Sequence, residues 1–230
     1  MHKQLVSLFI ATSVMVCCTY GQSVEPSKPE VAPEKATSKW ELGTRSTYYV
    51  FRDNTKGKKF DGSYVGSLYE LKDDQNYWPI KLFAQYMVCP YLGVGASYEH
   101  VEAVTWDGGG TDGTVELSGP VFYLTGRLPD YNLIRPYAEI GLAYLQSSFD
   151  YDPTWYAQGR HEMELEDYSL GLSVALGADV LLTDYWSVNL LARYTEASVD
   201  AQVYTYGKQT DHGNFAMDYF TFGLGAKYAF

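Results

Sequence analysis

Few residues in this chain stand at spacings that could support catalysis. His100 and Glu102 share one parity of an alternating stretch with Tyr98, and Ser97 adjoins them on the other. A histidine with a serine and a glutamate is the set from which an activated nucleophile is built, but activation needs hydrogen-bond reach between the groups. In a strand Ser97 points to the face opposite His100. His100 therefore reads better as an interfacial side chain than as a base. His161 with Glu162 and Glu164, and Asp211 with His212, combine metal-ligating types, yet their spacing matches no defined metal site. The run from Asp107 to Gly113 offers carboxylates for a weak Ca²⁺ site, although its glycines are already accounted for by a tight loop turn. The expectation is a protein without metal, cofactor or enzymatic activity.

A second set is more informative. Glu41, Glu99, Glu139 and Asp179, with Arg45, Lys81, Arg193 and Lys227, all fall at positions alternating with apolar residues. Four acids against four bases suggest a neutral set confined to one face of a sheet. What positions them is a series of eight strand-like segments: 39–52, 78–88, 91–105, 114–128, 136–149, 163–181, 185–204 and 215–230. The last is the clearest. Phe220, Phe222, Leu224, Ala226, Tyr228 and Phe230 form one parity, with Thr221, Gly223, Gly225 and Lys227 between them. The sixth sets Tyr168, Leu170, Leu172, Val174, Leu176 and Val180 against Ser169, Gly171, Ser173, Ala175, Gly177 and Asp179. The fourth is untidy, with apolar residues on both parities, and Gly119-Pro120 suggests a bulge that switches faces.

Connections alternate short and long. Cys89-Pro90, 129–135 and Thr183-Asp184 are brief; 53–77, 106–113, 150–162 and 205–214 are longer and richer in glycine and charge. Within the first long loop, Val65, Leu68, Tyr69 and Leu71 have near-helical spacing, which suggests a short helix over 63–74 and leaves an extra hairpin as the alternative. Greasy outer parity, small or polar inner parity and unequal rims are the pattern of an antiparallel up-and-down transmembrane β-barrel. This is the expected fold class: all-β, eight strands. A closed barrel leaves no sheet edge unsatisfied in lipid. Trp40, Tyr91, Tyr137, Tyr185, Trp186 and Phe230 then suit the lower interface, and Trp78, Trp106, Trp155 and Tyr204 the upper. The alternative is a soluble sandwich or lipocalin-like barrel, whose strands also alternate.

The 230 residues are 46% hydrophobic and 16% aromatic, with 22 tyrosines. Residues 1–21 read as a secretory signal, with Lys3, an apolar core from Leu5 to Cys18 and cleavage after Gly21. Cys17 and Cys18 raise lipidation as an alternative, but neither is preceded by a small residue. Residues 22–38 carry prolines and little to pack, which suggests an extended periplasmic spacer. The barrel domain is then 39–230, and Cys89 is the one cysteine left after cleavage. A formal charge of −11 argues against nucleic acid as a partner.

From Arg135 onward, RPYAEIGLAY (135–144), LGADVLLTDYWSVNLLARY (176–194) and FGLGAKYAF (222–230) resemble the outer membrane protein W family. The resemblance implies an eight-stranded barrel in the cell outer membrane, with a narrow, largely apolar interior and an association with small hydrophobic molecules. The terminal Phe230, with Tyr228 two residues before it, is similar to the signal read by the barrel-insertion machinery. Outer-membrane lipids, including lipopolysaccharide, are the implied surroundings. The charged inner parity departs from that apolar interior. Its charges must pair, either as a fixed plug or as a gate whose partners exchange. Two other functions remain open: surface adhesion or ligand capture through the acidic loops, and a lipid-modifying enzyme built around His100.

Overall fold

The computed structural model describes residues 39–51, 57–59, 70–73, 80–106, 111–151, 161–165 and 168–230. Eight strands form the wall: β1 (Trp40–Phe51), β4 (Ile80–Cys89), β5 (Leu92–Trp106), β6 (Thr111–Arg127), β7 (Ile134–Tyr151), β9 (Tyr168–Leu181), β10 (Trp186–Glu196) and β13 (Tyr219–Ala229). Each pairs antiparallel with its neighbour in this order, and β1 pairs with β13 from Glu41↔Ala229 to Phe51↔Tyr219, which closes the barrel. The closing pair is secured at its end by Phe230 N–H donating to the Trp40 carbonyl (2.9 Å).

Alternation explains the wall. In β9 and β10 exposed and buried positions succeed one another along the strand. Leu170, Leu172, Val174 and Leu176 face outward, and Ser169, Ser173 and Asp179 face inward. Tyr86, Trp40, Phe230, Tyr228 and Trp186 ring the lower edge, with Trp40 against Tyr86 (5.0 Å) and Trp186 against Tyr228 (4.9 Å). Tyr98, Tyr144, Tyr168, Tyr194 and Phe220 ring the upper edge, with Tyr144 stacked on Tyr168. Trp186 and Tyr194 bracket the apolar stretch of β10, which is about the 9–11 residues a tilted membrane strand needs.

Above that level the wall divides. β2 (Gly57–Lys59), β8 (His161–Leu165), β11 (Ser198–Thr205) and β12 (Lys208–Ala216) make a separate four-stranded sheet in the order β2-β12-β11-β8. The expected seventh segment therefore changes sheet at Ala197, and the eighth at Met217-Asp218. These two breaks lie opposite each other, with Met217 N–H donating to the Ala197 carbonyl (2.8 Å). The long loop expected at 205–214 is instead a hairpin. Tyr206 and Gly207 have φ of 52° and 73°, the left-handed pair that a two-residue turn between twisted strands requires.

Other expectations are corrected. Glu70–Asp73, placed in a helix by spacing, form strand β3 against Ala103–Trp106 of β5. β5 rises well above the start of β4, so its free backbone edge takes β3 as partner. Residues 63–69 and 74 lie outside the described residues. The connection expected at 106–113 shortens to 107–110, outside the described residues, because β5 and β6 pair up to Trp106↔Thr111. Gly119-Pro120 does not switch faces. Val115, Leu117, Val121, Tyr123, Thr125 and Arg127 are all buried inward, and the register with β7 is unchanged from Ser118↔Gln146 to Val121↔Ala143. Gly119 instead permits a close approach, since a Cβ there would lie 2.1 Å from the Tyr144 carbonyl oxygen. Trp78 and Trp155 lie outside the described residues.

Tyr137 does not belong to the lower girdle. It is 5% exposed and points into the barrel, where Gly177 directly across the β7–β9 pair leaves room for its ring.

Candidate functional site: the charged interior

The inward parity brings the eight charged residues named from the sequence into one buried network, to which the structure adds Arg127. In the lower half, Glu41 accepts from Arg127 and, at 3.1 Å, from Lys227, and Lys227 also reaches Asp179. Arg127 stands 4.0 Å from Asp179. Higher up, Arg193 bridges two strands: Nη1 donates to Glu99 Oε1 (2.9 Å) and Nη2 to Glu139 Oε2 (2.8 Å). Lys81 shares Glu99, and Arg45 stands 3.8 Å from Glu139. Each of the four carboxylates thus lies between two bases.

Asn189 joins the two groups. Its Nδ2 donates to Asp179 (2.6 Å) and to the Tyr137 hydroxyl oxygen (2.9 Å), while its Oδ1 accepts from Arg45 Nε. Tyr137 in turn donates to the Leu190 carbonyl (2.9 Å). Aromatic faces cover the cations that reach a single carboxylate. Arg45 lies 3.9 Å from the Phe83 centroid and Lys81 4.3 Å from that of Tyr49. Because Tyr137 satisfies both Asn189 and a strand carbonyl, Tyr137→Phe is expected to lower stability by about 1–3 kcal/mol. Urea unfolding of the refolded protein in lipid vesicles measures this.

Over the network sits an apolar layer of Tyr49, Val101, Val115, Leu117, Val121, Ala143, Leu145, Ala197, Val199, Met217 and Tyr219. Most of these side chains have no solvent contact at all. An eight-stranded barrel is just wide enough for its side chains to fill, and here they fill it twice, with charge below and hydrocarbon above.

Arg127 is not legible in the sequence because β6 lines the apolar layer inward and meets lipid outward. Its alternation is therefore invisible until Thr125 and Arg127. Asn189 falls on the inward parity of β10, but nothing in the sequence beyond that position signals its bridging role.

The other candidate residues do not come together. His100 contacts Glu102 (3.0 Å) and Glu116 (3.1 Å) on the outer wall, whereas Ser97 is buried inside beside Arg193. Serine and histidine are on opposite sides of the sheet, so they cannot act as nucleophile and base. His161, Glu162 and Glu164 fall on β8, with Glu164 exposed, and Asp211 and His212 fall on β12. Asp107 lies outside the described residues. Among the described residues no group of histidine, cysteine and carboxylate side chains could hold a metal ion. At the lower rim Phe230 is exposed and stacks on Tyr228, which stacks in turn on Tyr185.

A closed antiparallel barrel with a lipid-facing apolar band between two aromatic rings defines an integral outer-membrane β-barrel protein. Within that class the chain belongs to the OmpW family, whose pattern it matches over residues 42–230. It is similar to the outer membrane protein OprG from Pseudomonas aeruginosa, with 18% identity, a TM-score of 0.67 and coverage of 84% of this chain and 97% of that one. It is also similar to AlkL in lipid bilayers (14% identity, TM-score 0.59, 90% and 97% covered) and to the E. coli outer membrane protein W (21%, 0.51, 84% and 98%). At these identities the likeness concerns the fold. No curated protein matches the sequence.

Proposed function

We propose that this protein is an envelope barrel whose interior is closed at rest, with an envelope-structural role and at most a narrow, gated path for small hydrophobic solutes. The double closure of the interior carries this reading. Among the described residues every buried carboxylate lies between two bases, and the layer above is packed hydrocarbon. Ions crossing such a barrel would have to break charge pairs in a low-dielectric interior, at a cost of several kcal/mol per charge.

Planar-bilayer recordings of the refolded mature chain, residues 22–230, test this directly. The wild-type protein is expected to be electrically silent. Discrete openings in the wild type that grow in Arg193→Ala would replace the plug with a gate. A path for hydrophobic solutes is favoured by the divided outer wall. Among the described residues β8 pairs with β11, and the upper sheet β2-β12-β11-β8 is separate from the barrel sheet. Phe230 and Tyr228 serve in this reading as the signal for barrel insertion, and lipopolysaccharide surrounds the outer half.

A further inference from the structure

The interior charges do not cancel. Among the described residues the buried set holds the carboxylates of Glu41, Glu99, Glu139 and Asp179 and the bases Arg45, Lys81, Arg127, Arg193 and Lys227. The imbalance is local. The lower group pairs Glu41 and Asp179 with Arg127 and Lys227 and is neutral. The upper group sets Arg45, Lys81 and Arg193 against Glu99 and Glu139, one positive charge in excess beneath a hydrocarbon layer that excludes water. A buried charge without a partner is strongly disfavoured, and aromatic faces compensate it only in part.

Hydrogen bonding points to the same place. Arg193 spends its two terminal nitrogens on Glu99 and Glu139, but its Nε–H, fully buried, has no partner in the protein. Thr221 stands directly across from Arg193 on β13, and its buried hydroxyl has none either. A guanidinium N–H and a neighbouring hydroxyl, in a group with one surplus positive charge, form a donor set suited to an anion. Glu139 Oε1, 3.8 Å from Arg45, is a buried acceptor without a hydrogen-bond donor.

We infer that the upper half of the interior binds one small monovalent anion, of halide size, between Arg193 and Thr221. The surplus is one charge, which sets the valence, and the packed interior sets the size. The anion enters while the barrel closes, since the charged floor and the apolar layer cover the site afterwards. It is a structural counterion, and its presence does not depend on whether the barrel ever opens.

The experiment refolds the mature wild-type protein in sodium bromide or, at equal ionic strength, in sodium gluconate, whose anion is too large for the site. Crystals of the bromide-refolded protein are expected to show an anomalous peak beside Arg193 Nε and the Thr221 hydroxyl. The temperature at which the compact barrel is lost on gels is expected to be several degrees higher in bromide. Thr221→Val keeps the side-chain shape and is expected to weaken the bromide dependence at least tenfold. An ordered water in place of the peak, or bromide found at surface positions alone, overturns the inference. The wild-type crystals decide this even if the variant fails to fold.

Discussion

Arg193→Ala is expected to destabilise the folded barrel by about 3–5 kcal/mol, the range found when one partner is removed from a buried ion pair. Arg193 is 2% exposed and ties β5 to β7 across the lumen through Glu99 and Glu139. Without it, Glu139 keeps only the distant Arg45, and Glu99 keeps Lys81. The loss is thus an incompletely compensated carboxylate as well as a cavity. Arg193→Lys retains the charge but not the fork that reaches two carboxylates at once, and should fall between wild type and alanine. Arg193→Met combined with Glu99→Gln and Glu139→Gln removes the stranded charges, and should recover much of the loss if charge rather than packing dominates. Unfolding midpoints in urea, followed by tryptophan fluorescence in lipid vesicles, order these variants. An alanine variant as stable as wild type would mean that the network carries no structural load.

Gly225→Val is expected to prevent closure of the barrel. Gly225 lies in the β1–β13 pair opposite Arg45, and a Cβ there would sit 1.9 Å from the Thr44 carbonyl oxygen and 2.9 Å from the Arg45 Cα. Those atoms are backbone, so no rotamer change relieves the contact. The strands must separate, which breaks ladder hydrogen bonds that lipid cannot replace. The expected result is loss of the compact, heat-sensitive gel form after refolding. Gly223→Ala is the control, because its Cβ would meet side-chain carbons of Arg45, Leu191 and Thr47 no closer than 3.5 Å. It is expected to fold.

The sequence is most informative where one face of a strand meets lipid. Lipid demands apolar residues at every second position, so parity alone placed Glu41, Arg45, Lys81, Glu99, Glu139, Asp179, Arg193 and Lys227 on the other face. That rule lost its force wherever both faces are apolar. In β6, Val121 and Tyr123 line the interior while Phe122 and Leu124 meet lipid, and the resulting ambiguity suggested a bulge and hid Arg127. It lost force again above the membrane. There lipid no longer selects the pattern, and β8, β11 and β12 leave the barrel for a sheet of their own.

The amino-acid sequence by itself determined the class of fold, the strand parity and most of the interior charge, because these follow from a period of two imposed by the bilayer. Tertiary structure decided which charges meet. Tyr137, an aromatic near a rim, looked like a girdle residue until the register set it across from Gly177 and made it a partner of Asn189. The surplus positive charge beside Glu99 and Glu139 likewise depends on the strand order and stagger that bring Arg45, Lys81 and Arg193 to one level. Pairing across a lumen is set by shear between strands distant in sequence, and no local pattern encodes it.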